Sequence, residues 1–180
     1  ADFITLDVTD PRAVERAQTE IVIRHGKVDV LVNNAGIAIS FKPAETMEDD
    51  VWNKVIDVNL NGVFWCCRAF GKHMLERGSG NIVNIGSISA QIVNYPQEQA
   101  NYNASKAGVH HLTRSLAAEW AARGVRVNCV APTYIETDLP GDVTANTEIS
   151  NHWIDGTPMG RMGQISEIAS VILFLASDAS

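Results

Sequence analysis

Val28-Asp29-Val30-Leu31-Val32-Asn33-Asn34-Ala35-Gly36 is the stretch whose reading decides the fold. Its first part, 28–32, is an apolar run interrupted only by Asp29, the pattern of a strand covered on both faces, and it breaks at an Asn-Asn-Ala-Gly turn signal. Strands buried on both faces belong to parallel sheets flanked by helices. Before this stretch, 3–6 reads as the tail of a short strand. Thr9-Asp10-Pro11 then supplies an N-cap and a first-turn proline for a helix over 11–25, ended by Gly26. After it comes a long helix from 48 or 49 to 76, stopped by Gly78 and Gly80, and then a short strand over 82–85. A helix over 102–122 ends at Gly124, a strand follows over 125–131, and an amphipathic helix over 164–176 opens on Gln164-Ile-Ser-Glu167. Strands alternating with helices of this length predict an α/β fold, a doubly wound and mostly parallel sheet of Rossmann type.

The remaining arithmetic is consistent with one domain over 1–180. The chain has 180 residues, 46% of them apolar and 19% charged, and a net charge of −7. That composition excludes a disordered chain and supplies enough apolar surface for a core. An acidic balance without a Lys/Arg cluster argues against nucleic acid or an anionic membrane as partner. The apolar runs are too short to span a bilayer and no signal-peptide pattern opens the chain, so the sequence reads as a soluble, cytoplasmic protein. Cys66, Cys67 and Cys129 form no metal or redox motif and read as core thiols. Two features are missing. A doubly wound sheet has about six strands where about four are countable, and no glycine-rich phosphate loop is present. The chain reads as the middle and rear of such a fold, without its first two strands and its last. The stretch 133–163 is too long for an ordinary connection and is expected to be a substrate loop or lid.

Tyr102 and Lys106 stand four residues apart on one helix, ahead of Val109, Leu112, Leu116 and Trp120 at helical spacing. A lysine charge about 5 Å from a phenol, at an effective dielectric near 20, favours the phenolate by roughly 3 kcal/mol. That moves a tyrosine toward acid–base work at neutral pH. The alternative is a hydroxyl bonded to main chain and a snorkelling lysine. Ser87 and Ser89 follow the strand over 82–85 at its carboxyl end, where open α/β sheets bind ligands, although Gly-Ser-x-Ser also favours a plain turn. Asn59 falls on the buried stripe of the long helix with Val55, Gly62, Cys66 and Phe70. A buried amide in mid-helix must find partners: it either holds a water or bends the helix. Asn61 falls on the polar side. Gly36 permits close backbone approach by a ligand. Asp7 is placed to meet an adenine amino group or to cap a helix. His110 and His111 point in different directions and read as ordinary helix residues, and no metal site is expected.

Together, Asn33-Asn-Ala-Gly36, Asn59-Leu-Asn-Gly62, Ile85-Gly-Ser87, Tyr102-Asn-Ala-Ser-Lys106, Arg126-Val-Asn128 and the run 132–137 resemble the short-chain dehydrogenase/reductase family, in order and over essentially the whole chain. The resemblance implies hydride transfer between NAD or NADP and a secondary alcohol or ketone. Carried over residue by residue, it makes Tyr102 the general acid/base and Lys106 the group that lowers its pKa and binds the nicotinamide ribose. Ser87 would orient the substrate oxygen, and Asn59 would hold a relay water. Asn33, Ala35 and Gly36 would line the adenosine side and Asp7 would contact adenine. Pro132, Ile135 and Thr137 would meet the nicotinamide end.

Three departures from the family pattern stand out. The Thr-Gly-x-x-x-Gly-x-Gly motif is absent, so is the final strand, and Thr133 replaces the glycine usual after Pro132. The family's usual interval before Tyr102 lands on Ser89, but the strand end favours Ser87 as the catalytic serine. Ser89 and Asn94 then become substrate contacts. The stretch 92–97 and the loop 133–135 look similar to bacterial polyol dehydrogenases, which implies a sugar alcohol as substrate. The alternatives are a 3-oxoacyl-carrier-protein reductase and a non-catalytic dinucleotide-binding scaffold. The family habit also implies a homo-oligomer, usually a tetramer, with helix surfaces around Trp65 and Trp120 as contacts.

Overall fold

The computed structural model describes residues 1–39, 41–137 and 147–180, with only the main chain of Thr147. Three parallel strands form the centre: β1 (Val30–Asn33), β2 (Gly80–Ile85) and β3 (Val125–Val130), in the order β1-β2-β3. The register sets Val32 beside Val83 and Ile82 beside Val127. Helices α1 (Pro11–His25), α2 (Asp49–Ile56), α3 (Gly62–Arg77), α4 (Ala100–Trp120), α5 (Thr147–Asp155) and α6 (Ile165–Ala176) complete the architecture with a two-residue parallel pair, β4 (Ile135–Glu136) and β5 (Gly163–Gln164).

The helix boundaries follow the local chemistry. Asp10 caps α1 by accepting the Arg12 amide at 2.8 Å, and Gly26 ends it at φ +80°. At the start of α6, Glu167 accepts the Gln164 amide at 2.7 Å and binds the Arg161 guanidinium at 2.7 and 2.8 Å. Its other end is tied to the sheet: Asn81 donates to the Leu175 carbonyl at 2.6 Å, and Arg126 reaches the carbonyls of Leu175 and Ser177.

One core lies between the sheet and helices α3 and α4, built from Val63, Cys67, Met74, Ile82, Val109, Leu116, Trp120, Val125 and Val127. A second joins α1 to α3 through Val14, Cys66 and Phe70. Each such side chain contributes roughly 1.5–3 kcal/mol by leaving water. Helices α3 and α4 fit because Gly71 has no side chain: a Cβ there would sit 2.7 Å from the Trp120 ring. Burial pushes the thiols of Cys66 and Cys67 up to about 11 and about 12, so neither is a nucleophile.

Four expectations change. Residues 3–6 are not a strand; their main chain finds no ladder partner among the described residues, and Leu6 packs against the Val14 cluster instead. The long helix is interrupted by a π-helical turn, Asp57–Asn61, between α2 and α3. The stretch 133–163 contains β4, α5 and the start of β5, with 138–146 outside the described residues. Trp120 is 8% exposed and spent on the core, so it offers no surface for a subunit contact. No helix among the described residues is long and apolar enough to cross a membrane. No group of three His, Cys, Asp or Glu side chains among them could hold a metal ion.

Candidate active site

A cleft of about 260 Å³ opens at the carboxyl ends of β1 and β2. Tyr102 and Lys106 from α4 line it together with Ser87, Gly86 and Ile85 from the end of β2. Asn34, Gly36, Ile37 and Ala38 after β1, and Pro132 and Thr133 after β3, complete it. The parallel sheet explains the convergence. Chain leaving every strand emerges on the same edge, and α4 packs across that edge with its first two turns.

Lys106 is 5% exposed and gives a hydrogen bond to the Ile85 carbonyl at 2.8 Å. Its Nζ lies 5.7 Å from the centre of the Tyr102 ring. Burial lowers the lysine to about 8. The phenol is raised above its ordinary value, chiefly by burial, with hydrogen bonding to Ser87 pulling the other way. This corrects the sequence expectation that Lys106 depresses the phenol. Both groups lose solvent, and burial is the largest influence on each. At neutral pH Tyr102 therefore keeps its proton, which suits it to donate one.

Ser87 is held from several sides. Its Oγ accepts the Ser89 amide at 3.1 Å and donates to Ser89 Oγ at 3.0 Å. Its own amide donates to His110 Nε2 at 3.3 Å. Of the two serines, Ser87 lines the cleft beside Tyr102, and Ser89, 5% exposed, stands behind it as a brace.

Asn59 is fully buried, in the π-helical turn. Its Oδ1 accepts the Ile37 amide at 2.8 Å, and its Nδ2 donates to the Ile37 carbonyl at 2.9 Å and to Ser105 Oγ at 3.1 Å. Both ends of the amide are thus engaged with protein. What Asn59 does is clamp the cleft wall at Ile37. A Cβ on Gly36 would lie 3.4 Å from Asn59 Oδ1 and 3.5 Å from Lys106 Nζ, which places the clamp beside the lysine.

Several expected contacts lie elsewhere. The Asn33 side chain turns into the core, giving hydrogen bonds to Asn84 Oδ1 at 2.8 Å and Cys67 Sγ at 3.2 Å, and its neighbour Asn34 lines the cleft instead. Asn84 continues the buried chain to Thr113 Oγ1 at 2.9 Å. Asp7 is exposed, and its carboxylate closes a turn by accepting the Thr9 amide and hydroxyl at 2.9 and 2.8 Å, which hold it below the usual carboxylate range. Asn94 is 5% exposed with both amide ends used: Gln99 donates to it at 3.0 Å, and it donates to Tyr134 Oη at 2.8 Å. It joins the 92–99 loop to Tyr134, which stacks on Trp153 of α5 at 4.1 Å. Pro132 lines the cleft, and its carbonyl accepts the Ile88 amide at 2.9 Å. Ile135 is half-buried in β4 against Gly163, Thr137 is half-buried just after β4, and Ala35 is exposed on the Asn-Asn-Ala-Gly turn. Sequence reading missed Asn34, Ile37 and His110. Only Asn34 had a signal, its place in the turn motif.

A serine, a protonated tyrosine and a buried lysine in one cleft at the carboxyl edge of a parallel sheet define an α/β protein equipped for proton transfer to a carbonyl oxygen. A family model described as enoyl-(acyl carrier protein) reductase matches residues 1–180. Galactitol 2-dehydrogenase of Rhizobium johnstonii is 55% identical over 174 residues, covering 97% of this chain and 68% of that protein. A 3-oxoacyl-[acyl-carrier-protein] reductase of Chlamydia pneumoniae is 40% identical over 178 residues, 99% of this chain and 70% of that one. The crystal structure of a gluconate 5-dehydrogenase from Burkholderia cenocepacia, in complex with NADP and tartrate, superposes with a TM-score of 0.92 at 38% identity, covering 97% of this chain and 68% of that one. The chain belongs to the short-chain dehydrogenase/reductase family.

Proposed function

We propose that this protein interconverts a secondary hydroxyl of a polyol with the corresponding ketone, using NAD or NADP. The observation that carries the reading is the convergence of Ser87, Tyr102 and Lys106 on one cleft at the carboxyl edge of the sheet. Support for a sugar alcohol comes from the 55% identity to a galactitol 2-dehydrogenase, against 40% to an acyl-carrier-protein reductase.

The cleft fits the nicotinamide half of a dinucleotide. Gly36 leaves its floor open between Asn59 Oδ1 and Lys106 Nζ, and the ammonium spends one hydrogen bond on Ile85, leaving donors for a ribose. Lys106, Asn34, Gly36, Pro132 and Thr133 are the residues that would hold it. When bound, the dinucleotide supplies or accepts the hydride, and the chain contributes position and protons. Ser87 orients the substrate oxygen with its hydroxyl. Tyr102 delivers its phenolic proton to that oxygen during reduction and takes the proton back during oxidation. Since burial holds the phenol protonated, the resting site is set for reduction, and alcohol oxidation accelerates as pH rises toward the tyrosine's own titration. Asn59 acts from behind by fixing Ile37.

A 3-oxoacyl-carrier-protein reductase remains the second reading, because one relative, 40% identical, carries that chemistry in its name. The test is turnover with NAD and NADP against galactitol and related polyols, their ketoses, and a 3-oxoacyl thioester. Polyol and ketose turnover well above thioester turnover supports the first reading. Thioester turnover alone selects the second, and no turnover with any substrate returns the chain to a dinucleotide-binding scaffold. We further assign the protein to the cytoplasm and to a homo-oligomer. The tetramer usual in the family would use the α3 surface, where the Arg68 guanidinium lies over the Trp65 ring at 4.6 Å.

A further inference from the structure

Helix α4 presents Tyr102, Lys106 and His110 at steps of four residues, one above another on a single face. The first two side chains line the cleft, and the last two bond the main chain at the end of β2. Lys106 Nζ donates to the Ile85 carbonyl at 2.8 Å, and the Ser87 amide donates to His110 Nε2 at 3.3 Å. The imidazole lies tight over the residue between them. A Cβ on Gly86 would meet His110 Nε2 at 2.3 Å and Cys129 Sγ at 2.7 Å. The strand end is thus gripped on both sides of a glycine by one helix face.

We propose that His110 is a positioning residue, whose Nε2 fixes the backbone of Gly86–Ser87 and so aims the Ser87 hydroxyl at the substrate oxygen. To accept a hydrogen bond at Nε2, the ring must be neutral with its proton on Nδ1. Burial and the positive charges of Arg114 and Lys106 all favour the neutral ring, and the neighbouring Cys129 thiol of β3 is itself raised by burial and adds no negative charge to oppose them. Among the described residues, His110 Nε2 is the acceptor found for the Ser87 amide. The inference rests on reading Ser87 as the residue that orients substrate.

The test compares the parent enzyme with His110→Leu, His110→Gln and Ser87→Ala, measuring kcat and KM for the alcohol and ketone, cofactor affinity and Tm. Glutamine places an acceptor oxygen near the position of Nε2, whereas leucine has none. His110→Leu is expected to lower kcat about tenfold, the scale of one lost hydrogen bond, with cofactor affinity unchanged. His110→Gln is expected to recover most of that loss at equal Tm. Full activity in His110→Leu, or an equal loss in the glutamine variant, overturns the assignment. If Ser87→Ala is fully active, it is the reading of the serine that fails. Should the leucine variant not fold, nitrogen NMR of the parent decides: an unprotonated Nε2 at neutral pH supports the assignment, and a protonated Nε2 overturns it.

Discussion

Lys106 bears an unusual load for one side chain, a charge that is 5% exposed with no carboxylate bonded to it among the described residues. Its drop from 10.5 to about 8 corresponds to about 3 kcal/mol against folding while the ammonium is charged. Below about pH 8 both folded and unfolded chains hold the proton, and the folded state carries the whole cost. Between about 8 and 10.5 the unfolded chain binds more protons, so this group makes stability rise with pH. The stability of Lys106→Met minus that of the parent, read from urea midpoints, should therefore fall between neutral pH and about pH 10. A difference that grows over that range contradicts the buried charge. The spacing of Tyr102 and Lys106 was readable because a helix fixes which residues share a face. The balance of their titrations was not, since it depends on how much solvent α4 loses against β2 and β3. Asn33 shows the same limit: one residue along a strand reverses the face, so the core took Asn33 and the cleft took Asn34.

Among the elements, α1, α4 and α6 were readable from caps and stop glycines, because those signals are local. The π-helical turn was not, since its cause is a pairing across sequence, Asn59 with Ile37 and Ser105. Helix α5 escaped notice because its sequence, TEISNHWID, offers one strong anchor, Trp153, whose partner Tyr134 lies outside the helix. The junction of α4 and β3 carries a sharper prediction. Gly124 has φ +80°, and a Cβ there would stand 2.1 Å from the Gly78 carbonyl oxygen, main chain against main chain. Gly26 shares φ +80° but has nothing within 4 Å of the same position. Gly26→Ala should cost about 1 kcal/mol, the left-handed penalty alone, and Gly124→Ala about 2 kcal/mol or more. Denaturant unfolding separates them, and equal costs would mean that the two loops do not meet as described.

Across the whole protein, the fold class and the cleft's position followed from alternating strands and helices, because a parallel sheet sends every functional loop to one edge. The number of strands did not follow, as 3–6 has strand-like residues but no neighbour to pair with among the described residues. Three polar side chains from the end of β2 and from α4 meet in that edge cleft, and the chemistry proposed here depends on the phenol among them. Single-turnover hydride transfer by Tyr102→Phe, compared with the parent at saturating cofactor and substrate, isolates it. A loss of about 10²–10⁴-fold in rate is expected, with unchanged Tm and cofactor affinity, since only the transferable proton is removed. A phenylalanine variant that transfers hydride at the parental rate would show that proton transfer runs through some other group.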